Sequence, residues 1–263
     1  MRIASVGHAV FAAALMALGI LTVIKANFVA VWQPGPKVAS AHGLLVYACA
    51  FICVASGIGL LWRRSAAPAA GVLAVFSLLW LLLVRVPGIS KAPAVEGSWF
   101  ASGETGVMLV AAWILYTWFS TDGEKRRFGF ASGDSGLRIA RVLFGLSLIP
   151  FGVGHFVYLR DTASLVPGWL PWHVAWAYFF GCTFIAAGLA VIIGVFARLA
   201  AGLSAVQMGM FTLLVWVPIV VALPFSKDTF QWSETIDSLA LTAGAWVVAD
   251  SYSRKPWVVV DKG

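Results

Sequence analysis

Charge is scarce in this chain. Charged residues make up 11% of it, against 61% hydrophobic residues, where a soluble domain carries about 25% charged residues. No soluble core could hide so much apolar surface, so the solvent is a bilayer. Cysteine occurs three times. Cys49 and Cys53 fall one helical turn apart and Cys182 stands alone, which excludes a disulfide framework and any Cys-x-x-Cys metal or redox motif. There is no phosphate loop and no dinucleotide fingerprint. The histidines lack the depth and spacing of a haem cage, and His8 lies at the end of the first apolar run opposite the other three.

Aromatic residues are plentiful at 14%, with 13 tryptophans, as expected of rings gathered at two membrane interfaces. The net charge of +7 is a topology signal and does not imply nucleic-acid binding. Apolar stretches run over about 4–28, 41–62, 67–87, 104–121, 139–159, 172–196, 199–223 and 236–250. Most reach the ~20 residues that cross a hydrocarbon layer. Eight transmembrane helices are therefore expected. The first run follows Arg2 but is long and lacks a small-x-small cleavage site, so it reads as a retained helix rather than a signal peptide.

With the N-terminus inside, the inner segments hold Arg2, Arg63, Arg64, Lys125, Arg126, Arg127, Arg138, Arg141, Arg198, Arg254, Lys255 and Lys262. The outer side holds Lys25, Lys37, Arg85, Lys91, Arg160 and Lys227. The positive-inside rule then places both termini in the cytoplasm of a multi-pass, bacterial-type inner membrane protein.

Residues 42–87 and 173–218 align without a gap at an offset of 131, with 15 of the 46 positions identical. His42 falls on His173, Gly57 on Gly188, and Val86-Pro87 on Val217-Pro218. Small shifts extend the match: Gly19 meets Gly152, Pro34-Gly35 meets Pro167-Gly168, and Glu104-Thr105 meets Glu234-Thr235. The expected fold is all-α, two fused parallel four-helix bundles. A first copy spans 1–121, a polar cytoplasmic linker 122–136, and a second copy 137–263.

Polar residues at membrane depth need a reason. His42 and His173 open the second helix of each copy. Glu104 and Glu234 are expected in the first turn of the fourth helix, where Ser102 and Ser233 could cap it. Arg85 ends the third helix, where the second copy has Trp216, and could snorkel outward. His155 sits in Gly152-Val153-Gly154-His155, where the first copy has Thr22. These polar groups gather toward the outer face and leave the midplane nearly free of charge. A ligand pocket is expected in the second copy, lined by His155, His173, Glu234, Trp169 and Trp172. His42, Glu104 and Arg85 are its first-copy counterparts.

The second copy resembles the DoxX-like (DoxX/DoxD) membrane family over about residues 137–250. The resemblance rests on Arg141-Val-Leu-Phe-Gly-Leu, Phe151-Gly-Val-Gly-His-Phe156, Val166-Pro-Gly-Trp-Leu-Pro171, Tyr178-Phe-Phe-Gly181, Ala187-Gly188 and Ala197-Arg-Leu-Ala-Ala201. It implies four-helix bundles and a link to membrane redox systems, with quinone-side subunits among the relatives. Members commonly carry a glutamate where this chain has Phe184, a departure that weakens the case for catalysis by the chain itself. Three classes stay open. The first is a subunit that binds a quinone or lipid in a redox assembly, with other membrane subunits as partners. The second is a carrier or receptor for an amphipathic small molecule, and the third a structural subunit. No cofactor beyond quinone or bound lipid is implied, and no metal.

Overall fold

A computed structural model describes residues 4–36, 41–121, 123, 129–225, 229–253 and 255–258. Eight long helices account for most of them: α1 (Val6–Lys25), α2 (His42–Leu60), α3 (Ala66–Lys91), α4 (Glu96–Phe119), α5 (Asp134–Val157), α6 (His173–Ile193), α7 (Ala197–Ala222) and α8 (Phe230–Ser251). No strand occurs among the described residues. Arg2, Lys37, Lys125, Arg126, Arg127, Lys227, Arg254 and Lys262, eight of the charges behind the orientation argument, lie outside them.

Seven of these helices, α1 to α7, are long and apolar enough to cross a membrane. Large apolar side chains on them face outward: Leu44, Phe51, Leu83 and Val221 are each at least 70% exposed. Only a lipid solvent makes such a surface stable. The 22-residue α8 is more polar, with Glu234, Asp237 and Ser238 in its first half. It turns Ala240, Ala243, Val247 and Val248 into the protein interior.

The helices pack as a ring in chain order, α1 on α2, α2 on α3, α3 on α4, α4 on α5, and so on to α8, which returns to α1. The pair α4·α8 bridges the middle. The fourth helix of each copy thus leans on the first helix of the other. Small residues permit this. Gly244 on α8 lies against Val107 and Ala111 of α4, while Gly103 and Gly106 of α4 admit Ser147 and Phe151 of α5.

The two copies repeat local geometry. A methyl group on Gly19 would stand 2.7 Å from the Ala50 carbonyl, and one on Gly152 would stand 2.6 Å from the Gly181 carbonyl. Gly57 meets the Ala12 carbonyl as Gly188 meets that of Gly145. Backbone therefore touches backbone at matching places in α1·α2 and α5·α6, an approach only glycine allows. Both α3 and α7 also contain one π-helical turn, Leu81–Arg85 and Thr212–Trp216, at the offset of 131. Each precedes a Val-Pro pair. The proline cannot donate to the carbonyl four residues back and its ring crowds that carbonyl, so the turn before it widens.

Three helices begin well before the apolar runs indicate. α4 starts at Glu96 instead of residue 104, α5 at Asp134 instead of 139, and α8 at Phe230 instead of 236. Glu104 is therefore a ninth helical residue and Glu234 a fifth. Neither Ser102 nor Ser233 is a cap. Ser102 donates to the Ser98 carbonyl at 2.7 Å, and the Ser233 hydroxyl accepts from the Ala30 amide at 2.8 Å.

Candidate functional site

α8 presents Glu234, Asp237, Ser238 and Leu241 on one stripe, at the i, i+3, i+4, i+7 spacing of a single helical face. The stripe lines a cavity of about 120 Å³. α4 adds Phe100 and Glu104, one turn apart, and α5 adds Phe151 and His155, also one turn apart. Phe184 from α6 and Met208, Phe211 and Trp216 from α7 close the wall. Five aromatic rings and three carboxyl groups thus meet one imidazole. Glu104, Glu234 and Asp237 lie within electrostatic reach of one another.

The cavity brings together His155 and Glu234 from the expected lining, and joins to them Glu104 from the other copy. It does not include His173, Trp169 or Trp172. The two tryptophans are 72% and 79% exposed, and His173 begins α6 beside them. They fit an interfacial aromatic belt, where an amphipathic ring gains by facing outward. His42 is also elsewhere, packed edge-on against Phe28 at 5.5 Å beside a shallower depression. Nor does Glu104 lie in the first turn of its helix. Glu104 stands about 12 Å along α4 from its first residue, at 1.5 Å per residue.

His155 Nδ1 lies 2.6 Å from the Phe151 carbonyl oxygen. A carbonyl only accepts, so Nδ1 carries the proton, and Nε2 of the neutral ring is an acceptor. The ring is held between Phe184 at 5.5 Å and Phe211 at 5.8 Å, the latter stacked. Asp237 is 2% exposed, and its Oδ1 has no hydrogen-bond partner. Buried polar atoms are rarely left so. The site is rich in acceptors, because a carboxyl group accepts in either protonation state.

Arg85 does not snorkel. It is 3% exposed, and its guanidinium donates to the Val31 carbonyl at 2.8 Å, the Gln33 carbonyl at 2.5 Å and the Thr105 hydroxyl at 3.0 Å. The 28–33 segment folds inward to supply those carbonyls, burying Phe28, Val29, Val31 and Trp32. Trp32 packs on Phe76 at 4.8 Å and Trp80 at 5.6 Å. Trp80 and Arg85 are the counterparts of Phe211 and Trp216. The wall that borders the cavity in the second copy is therefore filled in the first. Thr22, the counterpart of His155, bonds the Leu18 carbonyl at 2.7 Å. It repeats the backbone contact and offers no ring.

Asp237, Trp216 and the phenylalanine walls escape a reading of sequence alone. Asp237 could have been found, since it stands one turn beyond Glu234 on the same helical face. Cys49 and Cys53 are buried, and no group of three metal-ligating side chains occurs among the described residues. Comparisons with protein-family models, with curated proteins and with solved structures returned no match.

Proposed function

We propose that this chain is a quinol-binding membrane subunit of a redox assembly, with the head group held in the His155–Glu234 cavity. In this reading all eight helices span the inner membrane as two parallel four-helix copies, related by a pseudo-twofold axis along the membrane normal. Both termini are cytoplasmic, and the cavity faces the outer leaflet. The DoxX-like resemblance supports the class. The observation that carries the chemistry is the acceptor-rich end of an aromatic cavity.

The residues present fit the group. An apolar slot with a few well-placed polar groups is what a ring with two oxygens requires. A quinol donates through both hydroxyls, whereas a quinone only accepts. His155 Nε2 is fixed as an acceptor by the Nδ1 contact with Phe151, and the carboxyl groups of Glu104, Glu234 and Asp237 accept as well. The acceptor fixed on His155 therefore favours the reduced form. When bound, a quinol supplies two hydroxyl protons. His155 takes one hydroxyl hydrogen bond, and the carboxylate stripe of α8 is placed to take the other and to hold a released proton. The phenylalanine rings exclude water from both contacts.

Purified protein in phosphatidylcholine nanodiscs, titrated anaerobically with decylubiquinol and decylubiquinone, tests this reading. Saturable binding of the quinol, at least tenfold tighter than the quinone, is expected. No saturable binding of either form would overturn it.

A second reading has one observation in its favour. Three carboxyl groups and five rings in one cavity, with Arg85 committed to backbone carbonyls, also suit an amphipathic amine through charge and cation–π contacts. A carrier for such cations would bind dodecyltrimethylammonium in the same titration and leave decylubiquinol unbound.

A further inference from the structure

A second cavity, about 360 Å³, runs between the start of α4 and the last turns of α5. Its walls are apolar: Pro93, Trp99, Pro150, Val153 and Val157. Glu96 is its one charged side chain. That residue is 7% exposed, and neither carboxylate oxygen has a hydrogen-bond partner. As the first residue of α4, Glu96 could have turned its carboxylate to the free amides of the first turn. It makes no such bond and instead leans on α5. A methyl group on Gly154 would stand 3.0 Å from Glu96 Oε1 and 2.9 Å from the Phe100 ring. The glycine is what lets both side chains lie against the helix.

Phe100 lies beside both the Glu96 carboxylate and the acid cavity. It lines the inner cavity, packs on Phe151 at 4.9 Å, and touches Gly154 beside the Glu96 carboxylate. Glu96, Phe100 and Glu104 follow one another at four-residue steps along one face of α4. An apolar groove with a single unsatisfied acceptor, joined through one ring to an acceptor-rich chamber, suits an amphiphile that carries a hydrogen-bond donor on an apolar tail.

We propose that the groove is the lateral port through which the quinol reaches the cavity. Glu96 accepts the hydroxyl at the entrance, the apolar walls hold the tail, and the Phe100 ring swings to admit the head group. This rests on the quinol reading above. Prolines on both walls, Pro93 and Pro150, stiffen the groove, so the aromatic partition is its movable part.

The test uses the full chain labelled with 5-fluorotryptophan in phosphatidylcholine nanodiscs. Trp99 lines the groove and Trp216 the cavity, and their fluorine resonances are assigned by Trp99→Phe and Trp216→Phe. Decylubiquinol should shift both. Glu96→Leu should abolish the Trp99 shift and raise the half-saturation concentration at Trp216 at least tenfold. Val153→Phe, which fills the groove without touching the carboxylate, should do the same. The remaining tryptophan resonances report whether either variant is folded. If Trp216 shifts and Trp99 does not, or both shift unchanged in Glu96→Leu and Val153→Phe, the port fails while the cavity reading stands. If Trp99 shifts and Trp216 does not, the cavity reading fails and the port with it. A Trp99 shift on replacing phosphatidylcholine by phosphatidylethanolamine, with no quinol effect there, makes the groove a lipid site and overturns the port.

Discussion

Glu104 and Glu234 stand at matching positions of the two halves of the chain and line one cavity. That meeting follows from the packing of α4 on α8, which brings the fourth helix of each copy to the centre of the molecule. The surrounding walls are not matched. In the second copy they are His155, Phe184, Phe211 and Trp216. In the first copy, Thr22, Cys53, Trp80 and Arg85 take these places and are buried. The two halves of the sequence repeat thus line one chamber, open on the side of the second half and filled on the side of the first.

The asymmetry predicts unequal effects of matched substitutions. His155→Ala removes a fixed acceptor and a ring contact. It should weaken decylubiquinol binding by more than the ~0.6 kcal/mol average of a membrane hydrogen bond. Thr22→Ala should leave binding unchanged, since Thr22 bonds only the Leu18 carbonyl. Equal weakening in the two variants would show that the first copy still takes part.

Arg85 should be a stability residue. Its three donors satisfy the Val31 and Gln33 carbonyls and the Thr105 hydroxyl. Arg85→Met leaves buried acceptors unpaired, at a cost of about 1–3 kcal/mol for each. Thermal unfolding in detergent should show a clear loss of stability, with a smaller one for Arg85→Lys. A variant as stable as the parent would mean that the 28–33 segment holds itself in place.

Glycine substitutions test the duplicated crossings. Gly19→Ala and Gly152→Ala each drive a methyl group against a backbone carbonyl. Both should destabilise by about 1–3 kcal/mol, the usual effect of overpacking. Similar losses are expected because the contacts match. If one variant alone is affected, the two crossings are not equivalent in solution.

The repeated helix crossings and widened turns were legible because their glycines and prolines recur in the sequence at a near-constant offset. The carboxylate pair was legible as a pair, but its depth was not. Hydropathy loses α4 before residue 104, because Glu96-Gly-Ser-Trp-Phe-Ala-Ser-Gly is polar and small. Helix forms there because Gly103 and Gly106 fit closely against α5. Closeness in sequence to His173 draws Trp169 and Trp172 into the expected site, but the chain turns them outward, with Trp172 at φ 58° just before α6. The burial of Arg85 is not legible, because nothing in the sequence shows that the 28–33 segment turns inward to meet it.

Orientation rests on charge placement and has a direct check. With Cys182 replaced by alanine, Ala94→Cys should react with an impermeant maleimide in intact cells, and Phe130→Cys only after permeabilisation. Both positions are exposed. The opposite pattern would turn the molecule over and put the cavity toward the cytoplasm.

Asp237 offers the sharpest separation of function from stability. It is 2% exposed, and its Oδ1 lacks a partner. An unsatisfied buried polar atom costs about 1–3 kcal/mol, more when charged. Its counterpart in the first copy is Val107, which is fully buried and packs against Gly244. The scaffold thus accepts an apolar residue at this place, and nothing structural calls for the acid. Asp237→Leu should therefore raise the unfolding temperature in detergent. The same substitution should weaken decylubiquinol binding by removing one acceptor from the α8 stripe. Groups kept for binding at the expense of stability behave in this opposed way. A less stable Asp237→Leu protein would show instead that the carboxyl group is part of the packing. Unchanged binding with raised stability would take Asp237 out of the site and leave His155, Glu104 and Glu234 to hold the ligand.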